Sequence, residues 1–456
     1  MTDRLDMKVA YIGGGSAMWT PHVLTDLYLR EDLGGTVDLY DLNLDAAALN
    51  VKFSAALQEH PQAKGRWQVR ATEDLATALD GADLVYISIS PGPIDLMAHD
   101  INIPKRYGIE HAVADTAGPA GLVRALRAIP IYEGFARAIM ENCPDAWVIN
   151  LTNPMVHCTA TLYAVAPEMK AYGFCHEVKF LREDLAEILR EKMGIEGLTD
   201  PREIVLDVEG TNHFVCATRM SWRGRDLFPL LREYISREGF FDDRTDVARD
   251  RVENEQWWDT DRLIILDFFR RFGVVPLTGD RHLVEFVPWY LSSEAELHRW
   301  GVILTPASAR VASRPSVAER EVAPVPEKLE HSRQDLLEQV CGLFGLGEWR
   351  STANLPNTGQ CPDLQRGAVV ETCADFRHDA LQPLQAQVLP PVVASMQRRV
   401  IDVQMATVEA GLKRDHDLAF QALLADPLVR IPTDKAWQMF NEMLQATADY
   451  LPGWDL

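Results

Sequence analysis

Two side chains far apart in this 456-residue chain, Cys175 and His213, are of the right types to share one metal ion. A thiolate with an imidazole suits a borderline divalent cation such as Mn, Fe, Co, Ni or Zn, and two protein ligands leave coordination positions open for two hydroxyls of a substrate. The cysteine lies in Gly173-Phe174-Cys175-His176-Glu177 and the histidine in Gly210-Thr211-Asn212-His213-Phe214. Their separation matches no metal motif, so the pair works only if the fold joins them. Taken singly, a free cysteine is usually a small buried hydrophobe and a lone histidine a core residue bonded to backbone. Cys143, Cys158, Cys216, Cys341, Cys361 and Cys373 have no comparable companion and are assigned to packing.

A second chemical feature stands near the start. Gly13-Gly14-Gly15-Ser16 follows the apolar run Lys8–Ile12. There Gly13 permits a tight turn after a strand, and Gly15 lets backbone approach a pyrophosphate at a helix N-terminus. Met18 replaces the third glycine of the dinucleotide fingerprint. Asp41 ends the next β run, where an acid accepts hydrogen bonds from an adenosine ribose and repels a 2′-phosphate, so NAD is favoured over NADP.

These groups need a sheet to position them. Lys8–Ile12, Thr36–Tyr40, Ala82–Ile89 and Ala146–Asn150 read as short buried strands, and Ala171–Phe174 as another that delivers Cys175 to the carboxyl edge, where α/β proteins place ligands. Helical patterns lie between them, notably Pro21–Leu29 and Leu122–Glu141. The alternation predicts right-handed βαβ units and a parallel sheet. Past about residue 195 the pattern changes. Strands are predicted at Ile204–Val208 and Phe214–Trp222, amphipathic helices at Thr260–Phe272 and Ser332–Phe344, a loop or linker over Pro306–Pro326, and a strongly helical stretch over Pro390–Leu424. The expected fold class is α/β: a Rossmann-like, doubly wound parallel sheet over residues 5–195 that binds NAD, then an α+β substrate and catalytic domain over 196–456. This is the two-domain plan of lactate and malate dehydrogenases.

Hydrophobic residues at 47% and charged residues at 25% supply an ordinary globular core. A net charge of -22 leaves no basic excess to neutralise phosphates, so nucleic-acid and anionic-membrane partners are not expected. A small anionic substrate remains open, since a few local arginines can override the global field. No stretch approaches the roughly 20 apolar residues of a membrane helix. No basic start leads into an apolar segment, and the seven scattered cysteines do not form a disulfide framework. A reduced, cytoplasmic enzyme is expected.

A series of motifs in fixed order resembles glycoside hydrolase family 4, the NAD- and manganese-dependent glycosidases. They are Gly13–Ser16, Asp115-Thr116-Ala117-Gly118-Pro119-Ala120-Gly121 with Leu126–Pro130, Asn150-Leu151-Thr152-Asn153-Pro154, Cys175-His176, and Gly210-x-Asn212-His213. The likeness continues through Arg281-His282-x-x-Glu285 to the Leu423–Val429 region and so covers nearly the whole chain. Ala120 stands where the family commonly has glycine. Glu177 stands where serine or glycine is expected in the substrate pocket, which leaves the sugar open.

The resemblance implies Cys175 and His213 as ligands of Mn2+ or a similar divalent ion. It implies Asn153, Glu177, Asn212 and His282 as substrate contacts, and Gly13, Gly14, Gly15, Ser16, Asp41 and Asn150 as the surroundings of NAD. Asp115 falls near substrate or nicotinamide. His176 occupies the position that in the phospho-sugar branch holds an acidic or amide residue, which points to an unphosphorylated sugar and gives His176 a place in the catalytic set. The family's base, a tyrosine or aspartate before Phe272-Gly273, matches Asp261 first and Asp259 second. The implied reaction is hydrolysis of a non-phosphorylated, α-linked hexopyranoside: NAD takes hydride from C3, the metal acidifies the C2 proton, a base removes it, the aglycone leaves C1, water adds and the hydride returns. A homodimer or homotetramer is implied as well. Two rivals share the cofactor end. A net NAD-dependent dehydrogenase of a sugar or hydroxy acid would accumulate NADH, and a non-catalytic nucleotide sensor would bind NAD without metal.

Overall fold

The first strand shows why the chain builds a sheet covered on both sides. In β1 (Leu5–Ile12), Val9 and Tyr11 share a core with Leu24 and Leu27 of the helix Trp19–Tyr28. Ala10 and Ile12 share the opposite core with Tyr132 and Phe135 of the helix Gly118–Asn142. A strand apolar on both faces needs helices on both, which is the doubly wound arrangement. The computed structural model describes residues 4–314, 317–332 and 334–456. Strands β2 (Leu33–Tyr40), β3 (Arg66–Thr72), β4 (Leu84–Ile87), β5 (Trp147–Asn150) and β6 (Ala171–Gly173) join β1 in parallel, in the order β3-β2-β1-β4-β5-β6. That order opens a ligand crevice at the carboxyl ends of β1 and β4, where the strand order reverses.

The sheet then continues with antiparallel strands. These are β7 (Val205–Thr211), β8 (Phe214–Trp222), β9 (Arg225–Asp226), β10 (Val275–Pro276), β11 (Trp349–Pro356), β12 (Val369–Arg377) and β13 (Ala380–Pro383), and β11 pairs with β6 to close a 13-stranded sheet. One cross-strand row runs through Tyr40, Ile12, Ile87, Asn150, Gly173, Asn354, Glu371 and Gly210. Five of the chemically suggestive residues sit just past this row. Asp41 follows Tyr40, Gly13 follows Ile12, Asn153 lies beyond Asn150, Cys175 beyond Gly173, and His213 beyond Gly210. The register, rather than any local motif, gathers them.

Differences from the sequence reading have local causes. The edge strand β3 alternates exposed and covered residues and lacks a continuous apolar run. The strand β11 carries Arg350, Ser351, Thr352 and Asn354, yet its middle is buried because β6 and β12 flank it. The Pro306–Pro326 stretch, expected as a loop or linker, is irregular over much of its described length. It holds the helix Ala307–Ala312, and Arg320 reaches back to donate to the Gly15 carbonyl at 2.8 Å, tying this segment to the glycine turn; residues 315 and 316 lie outside the described residues. The long C-terminal helical stretch breaks at Arg414, which is left-handed at φ 56°, with Asp415 capping the next helix. Among the described residues no helix is long and apolar enough to cross a membrane.

Candidate active site

At the end of β1 the chain turns at Gly13, whose φ is 90°. A Cβ there would lie 2.0 Å from the Ser88 carbonyl oxygen, so only glycine fits. The backbone N–H groups of Gly13 and Gly14 both donate to the Tyr40 carbonyl at 2.9 Å. Asp41 accepts from the N–H groups of Gly15 and Asn43, each at 2.8 Å, and Ser16 Oγ accepts from the Trp19 N–H at 3.1 Å as the helix begins. The Met18 side chain is 53% exposed, so this position tolerates a side chain where the fingerprint has glycine. A helix N-terminus behind a glycine turn, with a carboxylate at the neighbouring strand end, fits a dinucleotide. Asn150 does not join that surface. It accepts from Tyr132 OH at 2.6 Å and the Thr152 N–H at 2.9 Å, and it donates to the Thr152 carbonyl and Thr159 Oγ1, both at 3.2 Å. With both ends of its amide engaged by protein, it braces the turn after β5.

The second half of the pocket centres on His213, in the turn between β7 and β8 at φ 64°. That left-handed conformation costs a non-glycine residue about 1–3 kcal/mol and persists only where the surroundings enforce it. Its Nδ1 lies 3.0 Å from Thr116 Oγ1, and Thr116 donates to Asp115 Oδ1 at 2.7 Å. The threonine has one proton, and it goes to the carboxylate. His213 Nδ1 therefore carries hydrogen and Nε2 presents its lone pair, the form a metal ligand needs. One donor atom from each of Cys175, Glu177 and His213 lies within 4.8 Å of the others, and the same holds for Asp115, His213 and His282. Of the seven cysteines, Cys175 alone keeps partial exposure; the other six are buried.

Electrostatics support a cation at this place. The His213 and His282 rings pack at 4.0 Å between centroids, and His282 Nδ1 is 2.8 Å from Glu177 Oε1. Burial by itself would lower the His282 pKa, but Glu177 and Asp115 outweigh it and raise it above the ordinary value. Burial would likewise push both acids up. The charge on His282, with His213 beside it, prevails and holds Glu177 at about 2 and Asp115 well below the usual carboxylate range. Burial, reinforced by Glu371 and Glu177, raises the Cys175 thiol well above its usual value. A thiolate among carboxylates is stable only when a positive ion joins it, so the donor set fits a divalent metal.

A family model described as "Family 4 glycosyl hydrolase" matches residues 8–191, and one described as "Family 4 glycosyl hydrolase C-terminal domain" matches residues 208–429. The chain belongs to family 4 of the glycosyl hydrolases. An α-galacturonidase of Thermoanaerobacterium saccharolyticum is 41% identical to this family 4 hydrolase over 99% of this chain and 98% of its own. A Bacillus subtilis protein crystallised under the description of a glucosidase is 39% identical, with a TM-score of 0.86 over 96% of this chain and 100% of that one. A 6-phospho-β-glucosidase of Thermotoga maritima, crystallised with manganese, NAD+ and glucose-6-phosphate, shares the fold at a TM-score of 0.74 and 21% identity, over 97% of this chain and 99% of that one.

The remaining expected residues of the family 4 hydrolase divide into those the fold gathers and those it does not. Asn153 and Asn212 each present a buried amide oxygen without a partner among the described residues, while Asn212 donates to Glu371 at 3.1 Å. His176 bridges the two ends, its ring 5.4 Å from Trp19 and 5.2 Å from Phe180, and burial lowers its pKa. Asp261 and Asp259 belong to neither donor group. Asp261 pairs with Arg251 at 2.7 Å beside a separate cleft lined by Tyr234 and Arg244, and Asp259 is exposed. Left-handed Arg262 delays the helix to Leu263–Phe272, leaving both aspartates on the preceding loop.

Three groups escaped the sequence reading as site components. Thr116 fixes the His213 tautomer, as described above. Glu371 lies on β12, with a pKa raised to about 7 by burial; its signal was an acid inside the apolar run Val369–Ala374. Glu285 Oε1 accepts from the Val113 and Ala114 N–H groups at 2.7 and 3.0 Å. This holds Ala114 at φ 65° and so aims Asp115 into the pocket.

Proposed function

We propose that this family 4 hydrolase cleaves α-linked galacturonides, unphosphorylated sugars bearing a carboxylate, with NAD and a divalent ion such as Mn2+ as cofactors. The carrying observation is the convergence of Cys175, Glu177, His213, His282 and Asp115 on one pocket, taken with full-length likeness to an α-galacturonidase. The Thermotoga maritima relative crystallised with manganese and NAD+ supports the same cofactor pair. Cys175, His213 and Glu177 would hold the ion, and the glycine turn with Asp41 would hold the dinucleotide. Together the two cofactors supply transient oxidation at C3 and Lewis-acid polarisation of the carbonyl it creates.

The chain's own groups do the rest. Glu177 and Asp115 raise the His282 pKa above its ordinary value, and its buried Nε2 makes no hydrogen bond among the described residues, so it is placed to protonate a leaving oxygen. Asp115, ionised and aimed by Thr116 and Glu285, faces the pocket as a fixed negative charge, whereas Arg251 engages Asp261. Asn153 and Asn212 offer amide oxygens to sugar hydroxyls. Nitrophenyl α-galacturonide, incubated with enzyme, NAD and Mn2+, should release nitrophenol without net NADH, and omission of either cofactor should stop it. No turnover on galacturonide, galactoside and glucoside alike would defeat the proposal. Stoichiometric NADH would turn it toward a dehydrogenase.

A further inference from the structure

The chain carries a net charge of -22, yet two arginines beside the pocket are packed together. The guanidinium carbons of Arg281 and Arg310 stand 4.4 and 4.3 Å from the ring centre of one residue, Trp258. Arg281 is 5% exposed. The hydrogen bonds these side chains form all end on neutral oxygens. Arg281 Nη2 donates to the Ala112 carbonyl and Thr305 Oγ1, and Arg310 Nη2 donates to the Val113 carbonyl at 2.6 Å. Arg281 Nε, Arg281 Nη1 and Arg310 Nε have no partner among the described residues. Asp115 and Glu285 face both guanidinia and offset part of this charge; donors left without hydrogen bonds at so covered a place still favour a further anion, and an aromatic face compensates only in part.

We propose that Arg310, backed by Arg281 and covered by Trp258, is the seat for the carboxylate of the galacturonyl ring and separates uronides from neutral hexosides. The assignment rests on the galacturonide reading above. The location favours it. Arg281 immediately precedes His282, and the Ala112 and Val113 carbonyls that anchor the two guanidinia lead directly into Asp115. A guanidinium fork matches a carboxylate with two parallel hydrogen bonds, which a hydroxymethyl group cannot accept in the same way. Trp258 is 54% exposed and caps the pair from the solvent side, which strengthens the charge interaction beneath it.

The test is calorimetric titration of the NAD- and Mn-loaded enzyme with free galacturonate and with galactose. The wild type should prefer galacturonate. Arg310→Gln should weaken galacturonate by roughly 30-fold while changing galactose less than about 3-fold, with Arg310→Lys between them. Trp258→Ala, at a half-exposed position, should weaken galacturonate by roughly 5-fold and leave galactose alone. Retained NAD binding certifies that each variant is folded; should Arg310→Gln fail that check, the Trp258→Ala result decides. Equal losses on both sugars, or no loss on galacturonate, would overturn the seat. A wild type that binds galactose as tightly as galacturonate would instead bring down the galacturonide reading itself.

Discussion

At the glycine turn, the backbone polar groups are already matched by the protein. Gly13 and Gly14 donate to Tyr40, Gly15 to Asp41, and the next helix opens on Ser16. Around His213 the reverse holds. Asn153, Asn212 and His282 keep buried polar atoms without partners among the described residues, and carboxylates crowd a thiol. The first region is a finished scaffold onto which a ligand settles. The second is a set of groups whose charges and lone pairs await one. Buried polar atoms cost free energy when unmatched, so such a region is retained where a ligand completes it.

If the two regions are separable in this way, removing a ligand atom from the second should leave the first working. Cys175→Ser exchanges a soft sulfur for a hydroxyl that ionises far less readily. Metal-dependent turnover should fall by more than the roughly 100-fold that loss of an outer-shell partner costs, while NAD affinity stays within about 3-fold. Metal content and NAD titration of the same preparation check both halves. A large loss of NAD affinity would show that the regions are one cooperative unit.

The converse experiment perturbs the scaffold. Gly13→Ala places a Cβ against the Ser88 carbonyl, in a backbone conformation that disfavours any side chain. Melting should show a loss of about 3 kcal/mol, and NAD binding should weaken together with stability. A variant that melts normally and binds NAD normally would mean that the β1–β4 crevice is looser than its hydrogen bonds indicate.

The same contrast decides how much could be read in advance. The glycine turn and Asp41 lie in consecutive strand–helix–strand segments, so their roles follow from local chain chemistry, and the parallel strand order follows with them. The metal end is assembled from Asp115, Cys175, Glu177, His213 and His282; the cross-strand row from Gly173 through Asn354 and Glu371 to Gly210 aligns the strand ends that carry Cys175 and His213, while Asp115 arrives from the loop before the helix Gly118–Asn142 and His282 from the helix Asp280–Phe286. The strand β11, on which that row depends, carries polar residues whose burial is imposed by its neighbours, so no periodicity announced it. Asp261 was singled out by its place before a helix, and there it pairs with Arg251, a role that helix-start chemistry serves equally well. Asn150 misled because a conspicuous polar residue at a strand end can be spent on its own turn.

The subtlest expectation concerns the His282–Glu177 pair in metal-free protein. The folded pKa of His282 lies above its ordinary 6.5, so its stabilising contribution is complete below that value and fades as pH rises through the folded pKa. Glu177 is lowered from 4.5 to about 2, so its contribution is complete above 4.5 and fades as pH falls toward 2. Only between about pH 4.5 and 6.5 do both contribute fully. Melting curves of wild type and Glu177→Gln should differ most in that window, by about 1–3 kcal/mol, and converge on the alkaline side. A gap that stayed constant from pH 5 to 9 would show that Glu177 is held by packing rather than by charge. The metal end would then resemble the glycine turn more closely than its unpartnered atoms suggest.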